Sequence, residues 1–217
     1  MFPQHNVQHS FHTFYEEWVL RQENLLEQLL SLPDSDSEDQ KRLSEQVLCH
    51  YQQYLEEKSK LADVDVFLLL SPTWLSAYER ALLWIGDYKP SLILRLAAGA
   101  VEGLTSEQRE RLDRVREETG RAEREVSEAM ASAQESMASP TMVGLVRMLD
   151  GGITPREVES AIEGLKRALI RVSQRADELR ASTMRKVVEI LSPPQTVQFL
   201  AATIHFQMRV RRWSISD

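Results

Sequence analysis

Residues 71–96 read Ser71-Pro72-Thr73-Trp74-Leu75-Ser76-Ala77-Tyr78-Glu79-Arg80-Ala81-Leu82-Leu83-Trp84-Ile85-Gly86-Asp87-Tyr88-Lys89-Pro90-Ser91-Leu92-Ile93-Leu94-Arg95-Leu96. Ser71 ahead of Pro72 is a helix-start signal, because the serine oxygen can accept an orphan N–H and proline suits the first helical position. Trp74, Leu75, Tyr78, Ala81, Leu82 and Ile85 recur at helical spacing and predict one apolar stripe. Gly86 can leave such a helix in a left-handed conformation, and Pro90 cannot sit in its interior. A second helix is predicted from Pro90-Ser91 through Val101, apolar on nearly every face and therefore buried. Two of the chain's four tryptophans lie here, which places the expected centre of the core in this hairpin.

The remainder of the chain agrees with a helical reading. At 217 residues and 42% hydrophobic, it can bury a full core. Eight glycines and few alternating β-branched runs argue against sheet. A net charge of −7 disfavours non-specific binding to nucleic acid or to anionic membrane. The single cysteine, Cys49, cannot form an internal disulfide, which fits a reducing home in nucleus and cytoplasm. The N-terminus lacks the basic start and apolar run of a secretory signal. Asp87, Lys89, Pro90 and Arg95 break the longest apolar stretch, so no membrane span is expected.

Residues 1–10 read as a mobile polar tail. From Phe11 onward, Phe14, Trp18, Leu25, Leu29 and Leu32 mark a helix face. Residues 33–39 form an acidic linker with turn chemistry, within which Ser35 and Ser37 have the acidic neighbours that some kinases favour. Ser37 with Gln40 forms a candidate capping box for a helix through Val47, Tyr51, Tyr54, Leu55, Lys58 and Leu61. Residues 63–70 alternate like a strand but have no evident partner strand, so helix is the chosen reading.

Thr105 with Gln108 is another capping box. Leu112, Val115, Thr119, Ala122, Val126, Ala129, Ala133 and Met137 follow in a heptad pattern, with Arg and Glu dense on the other faces. Small residues dominate that seam, so it is read as packing within the chain; a coiled-coil dimer is the alternative. Ser139-Pro140 opens a short helix through Leu149, ended by Asp150-Gly151-Gly152. Thr154 with Glu157 caps a long helix carrying Val158, Ile162, Leu165, Leu169, Val172, Ala176, Leu179, Thr183, Val187 and Ile190 on one face. Ser192-Pro193 starts the last helix, with Phe199, Leu200, Ile204, Met208 and Trp213 available for burial. The predicted fold is all-α: a multi-helix bundle with long antiparallel helices, one domain over residues 11–213 and a short C-terminal tail at 214–217.

Chemistry-bearing motifs are scarce. There is no P-loop, no Gly-x-Ser-x-Gly elbow, no His-Glu-x-x-His and no cysteine pair, so neither an enzyme nor a metal site is expected. Cys49 and His50 are adjacent on a helix and point apart, which leaves an ordinary buried thiol. His5, His9 and His12 have spacings that suit a metal on a helix, but the polar context favours a disordered tail. His205 is expected to pack within the last helix. Arg209, Arg211 and Arg212 complement its C-terminal dipole.

Several stretches together resemble the plant Delay of Germination domain. Trp74, Glu79-Arg80, Leu83-Trp84-Ile85-Gly86 and Lys89-Pro90-Ser91 are similar to its signature. Asp87 replaces a second glycine there, and aspartate tolerates a left-handed turn. Phe14–Trp18, His50-Tyr51 with Tyr54, Ala176–Arg180, Ile190–Pro193 and Trp213 follow in the family's order. The resemblance marks Trp18, Tyr51, Trp74, Glu79, Arg80, Trp84, Gly86, Pro90, Arg180 and Trp213 as the signature core. It implies a non-enzymatic regulator of seed dormancy, germination or abscisic-acid signalling that works through protein partners, with type-2C protein phosphatases as candidates. A second implication is a transcriptional co-regulator similar to the C-terminal domain of TGA factors. Direct DNA binding is not expected, because no basic zipper region precedes the domain; a homodimer stays open. A third is a haem or lipid sensor. The family's haem-binding histidine pair falls here on Gln207 and Arg211, so no cofactor is predicted; His205 is the one weak candidate.

Overall fold

The computed structural model describes residues 3–33, 37–136 and 155–213. Among them the regular elements are helices: α1 Pro3–Ser31, α2 Ser37–Leu70, α3 Ala77–Ala81, α4 Pro90–Ala100, α5 Ser106–Glu135, α6 Pro155–Ile190 and α7 Pro193–Trp213. The all-α expectation holds. Helix α1 packs along α2, and α5 packs along α6; α7 lies against α1, α2 and α4, and α4 also contacts α5 and α6. The main core joins Trp18, Leu29, Leu61, Leu94, Val187, Phe199, Leu200 and Ile204, from five different helices. Helix α1 is already helical from Pro3, eight residues ahead of the Phe11 start read from the apolar pattern.

The Thr105–Gln108 capping box forms as expected, with the Gln108 N–H donating to Thr105 Oγ1 at 3.1 Å and the Thr105 N–H donating to Gln108 Oε1 at 3.0 Å. The buried face of α5 holds Leu112, Val115, Thr119, Val126 and Ala133 of the heptad seam, plus Glu123; Ala122 and Ala129 are half-buried, and Met137 lies outside the described residues. It packs on α6, where Thr119 and Thr183 hydroxyls meet at 3.3 Å. The predicted helix at 139–149, its 150–152 stop and the Thr154–Glu157 cap lie outside the described residues, as does Ser35.

Residues 63–70 are helical, and their strand-like alternation has a cause. Asp65 has non-helical dihedrals (φ −149°, ψ 89°) inside α2. Its Oδ1 accepts the N–H groups of Phe67 and Leu68, both at 3.0 Å, so the helix breaks and is capped afresh there.

Residues 71–89 differ most from expectation. Ser71 and Pro72 do not start a helix; the Ser71 N–H closes α2 by donating to Phe67 O at 3.0 Å. The start is Ser76, whose hydroxyl accepts from Glu79 N while the Glu79 carboxylate accepts from Ser76 N at 2.8 Å. This capping box supports only the five residues of α3, because Leu82 and Leu83 wind back onto Glu79 and Arg80 through i to i−3 bonds. The predicted stripe therefore does not form: Tyr78 is 49% and Leu82 47% exposed. Trp74 and Trp84 are only half-buried, and the core tryptophan is Trp18, at 3% exposure.

Beyond α3 the chain reverses at Trp84-Ile85-Gly86-Asp87, with the Trp84 N–H donating to Asp87 O at 2.6 Å. Ile85 (φ 51°) and Gly86 (φ 75°) both take positive φ, the pair of dihedrals that a type I′ turn requires. Glycine does so freely; a β-branched isoleucine does so only when its surroundings hold it there. Asp87 is not among the left-handed residues. Its carboxylate, not its backbone tolerance, is what this position uses.

Candidate functional site

The side chain that holds the turn is Arg180. Ala176, Arg180, Thr183 and Val187 line the inward face of α6, and Arg180 is 1% exposed. Its Nε donates to Tyr88 O at 2.8 Å, and Nη2 to the carbonyls of Trp84, Ile85 (3.0 Å) and Asp87 (3.2 Å). Nη1 pairs with Asp177 Oδ1 at 2.5 Å. The guanidinium also lies 5.4 Å from the Trp84 ring centre. A rigid fork of five donors is the one natural side chain that can satisfy so many acceptors at once.

A second buried cation completes the cluster. Lys58 of α2, also 1% exposed, places Nζ 3.2 Å from Asp87 Oδ2 and 2.8 Å from Asp177 Oδ1. Two cations thus face two carboxylates, and the cluster is neutral. Burial pushes the Asp87 carboxyl up, but Lys58 and Arg180 outweigh it and hold it below the usual carboxylate range. Burial likewise opposes the charge on Arg180, and Asp177 and Asp87 more than compensate. Tyr51 and Tyr54 border the cluster, and burial raises both phenols well above their ordinary value.

Two further polar contacts anchor the same segment. Glu79, 4% exposed, accepts from the Tyr15 hydroxyl at 3.5 Å and lies 4.0 Å from Arg211. Arg211 itself is held by both oxygens of Glu16, at 2.7 and 2.9 Å. At the start of α4 the N-cap Lys89 contributes no side-chain bond. Glu123 of α5 supplies it instead, accepting from Ser91 N at 2.6 Å and pairing with Lys89 at 3.5 Å. The Lys-Pro-Ser stretch is thus a helix start whose capping carboxylate comes from another helix.

Beside this cluster, where α1 meets α2, Trp18 donates from Nε1 to His50 O at 3.1 Å. It stacks on the His50 ring at 4.9 Å and on Tyr54 at 4.7 Å. Burial, with Arg21 adding to it, pushes the His50 imidazole down to about 4. Its Nε2 is buried without a hydrogen-bond partner.

Of the residues marked from sequence, Trp18, Glu79, Pro90, Gly86 and Arg180 are interior, and Tyr51 is largely so. Trp84 is half-buried and donates from Nε1 to Ser127 Oγ at 3.1 Å. Trp74 rests on Phe11 at 4.7 Å. Arg80 is at the surface, bonded to Leu75 O at 2.6 Å, and Trp213 is 61% exposed; neither belongs to the core. His205 is exposed rather than packed, and Cys49 is exposed rather than buried. Lys58, Asp177 and Glu123 carry no local sequence pattern that marks them as polar partners, beyond a lysine on the apolar stripe of α2 and an aspartate three residues before Arg180.

The residues at the haem-pair positions do not fit haem. Gln207 Oε1 accepts from Gln22 Nε2 at 2.5 Å, and Arg211 is engaged by Glu16; an amide and a guanidinium are not its axial ligands. The adjoining cavity, walled by Trp18, His50, Tyr88, Phe206 and Gln207, has about 50 Å³ of room, enough for only a few waters. Among the described residues, no group of three or more His, Cys, Asp or Glu is placed to hold a metal. Also among them, no helix is long and apolar enough to cross a membrane.

Residues 22–98 match the family described as seed dormancy control. Protein RESPONSE TO ABA AND SALT 1 of Arabidopsis thaliana is 37% identical over 224 residues, covering 96% of this chain and 96% of its own. Protein ZW2 of the same plant is 35% identical over 215 residues, covering 93% and 95%. Transcription factor TGA7, also from Arabidopsis thaliana, is 30% identical over 207 residues, which span 94% of this chain but 55% of the factor. With its signature turn in place and two relatives matched end to end, the chain belongs to the Delay of Germination family.

Proposed function

We propose that the protein is a plant regulator that works through contacts with protein partners, in seed dormancy, germination or abscisic-acid signalling, and without catalysis. The observation that carries this reading is the end-to-end match to a relative whose name is a response to abscisic acid and salt. The interior chemistry supports it. Arg180, Lys58, Asp87 and Asp177 are consumed in holding the turn and its flanking helices. A group already satisfied by fixed partners is not poised to transfer a proton or attack a substrate. The working part of such a molecule is its surface. Type-2C protein phosphatases are the candidate partners, in nucleus and cytoplasm.

Purified protein should capture at least one type-2C phosphatase from a defined panel at sub-micromolar affinity. Failure across the panel would remove the phosphatase reading. The match to TGA7 favours a second reading, a co-regulator that meets transcription factors without touching DNA. There, the chain would leave a labelled duplex unshifted yet bind a TGA protein. In both readings haem has no part: haemin titration should give no bis-histidine spectrum, and a tight complex lost in His205→Ala would overturn that.

A further inference from the structure

A groove with about 430 Å³ of room lies between α2 and α6. Its floor is apolar, made by Leu55, Ala62 and Leu69 of α2 and Ala181 of α6. Glu56 and Glu178 stand exposed at its rim. The only cation in its wall is Lys58, already neutralised by Asp87 and Asp177. Glu56 receives a neutral amide N–H from Gln52 at 3.2 Å, and among the described residues Glu178 has no ion-pair partner. Neither rim carboxylate is closed into an ion pair, although Lys60, one turn on from Glu56, lies within its field; both stand over an apolar trough. On the same wall, Ser173 is 2% exposed and its Oγ has no hydrogen-bond partner, which is a buried polar group in want of one.

We infer that this groove docks a basic segment of a partner protein, taking up an arginine or lysine side chain. The long aliphatic stem of such a side chain covers apolar surface while its charged head seeks anions. Leu55, Ala62, Leu69 and Ala181 suit the stem, Glu56 and Glu178 suit the head, and Ser173 Oγ can accept an N–H. The chain's net charge of −7 steers a cationic segment toward it. This rests on the proposed role as a protein-binding regulator and specifies the partner's chemistry.

The test uses the full chain, labelled with ¹⁵N, and an acetylated, amidated peptide Leu-Ala-Arg-Ala-Leu. The expected result is a saturable shift of the amides of Glu56, Ser59, Ser173 and Glu178. Replacing the peptide's arginine by norleucine should weaken binding at least tenfold, and a lysine peptide should retain it. The Glu56→Gln/Glu178→Gln double variant should also lose at least tenfold while melting like the parent. Equal affinity for the norleucine peptide, shifts centred elsewhere, or no saturable shift would overturn the inference. Loss of peptide binding with phosphatase capture intact strikes the groove alone; the reverse strikes the partner reading alone.

Discussion

Two regions of this interior are built on opposite principles. Around Trp18 the contacts are between rings on two neighbouring helices, with one hydrogen bond to the His50 carbonyl. Around Arg180 they are between charges and backbone carbonyls that come from α2, α6 and an irregular loop. The apolar burial that drives the first is non-directional and tolerates volume-conserving exchange. The charged cluster is directional, and removing any one member leaves the rest buried with one unbalanced charge. The first region glues helices that would form anyway. The second fixes the shape of residues 84–88, including an isoleucine at φ 51°, which no local propensity would choose.

The largest effect should come from breaking the charged region. Arg180→Met leaves two carboxylates sharing the single Lys58 cation and strands several carbonyls, and should cost about 5 kcal/mol in urea unfolding. Arg180→Lys should rescue little of this, since an ammonium cannot fork to the Trp84, Ile85, Asp87 and Tyr88 carbonyls. A loss near ~1 kcal/mol for Arg180→Met would mean that the turn is held by something else.

Next comes the aromatic region: Trp18→Ala should cost about 3–5 kcal/mol, the range for a buried aromatic truncation. Trp84→Ala, being half-buried, should cost about half as much. A Trp84 variant as unstable as the Trp18 variant would return the core to the 71–96 stretch.

Acid should separate the two regions. The His50 imidazole is pushed down to about 4 in the fold, against an ordinary value of about 6.5. Between these two values the unfolded chain holds a proton that the folded chain refuses. Stability is therefore full above about pH 6.5 and falls as pH drops from there toward the folded value. Asp87 is held below the ordinary carboxylate range, so its contribution is lost only as pH falls further. Urea midpoints at pH 7 and pH 4.5 should differ less in His50→Gln than in the parent. An unchanged slope would mean that another group titrates there.

The smallest effect belongs to Trp213. At 61% exposure, its replacement by alanine should shift stability by no more than about 0.5 kcal/mol. A cost of several kcal/mol would show that this tryptophan is covered in solution, which is the signature of an interface.

The sequence by itself determined the helices and most of their buried faces. A capping box such as Thr105–Gln108, a proline at the start of α4 and the Leu112–Ala133 seam act within a few residues, so their period and spacing carry the whole signal. The family pattern also picked out Arg180 and Glu79, though not what they hold. Only the tertiary structure decided the 71–89 segment. Local rules favoured Ser71-Pro72 as a helix start; Ser76 won because Glu79, in capping it, is also taken up by Tyr15 and Arg211. Likewise nothing near Lys58 announces Asp87 or Asp177, which reach it from other parts of the chain. Charges separated that far along a chain have no periodicity to betray them. Their pairing becomes favourable only when packing removes water and leaves the buried charges to compensate one another.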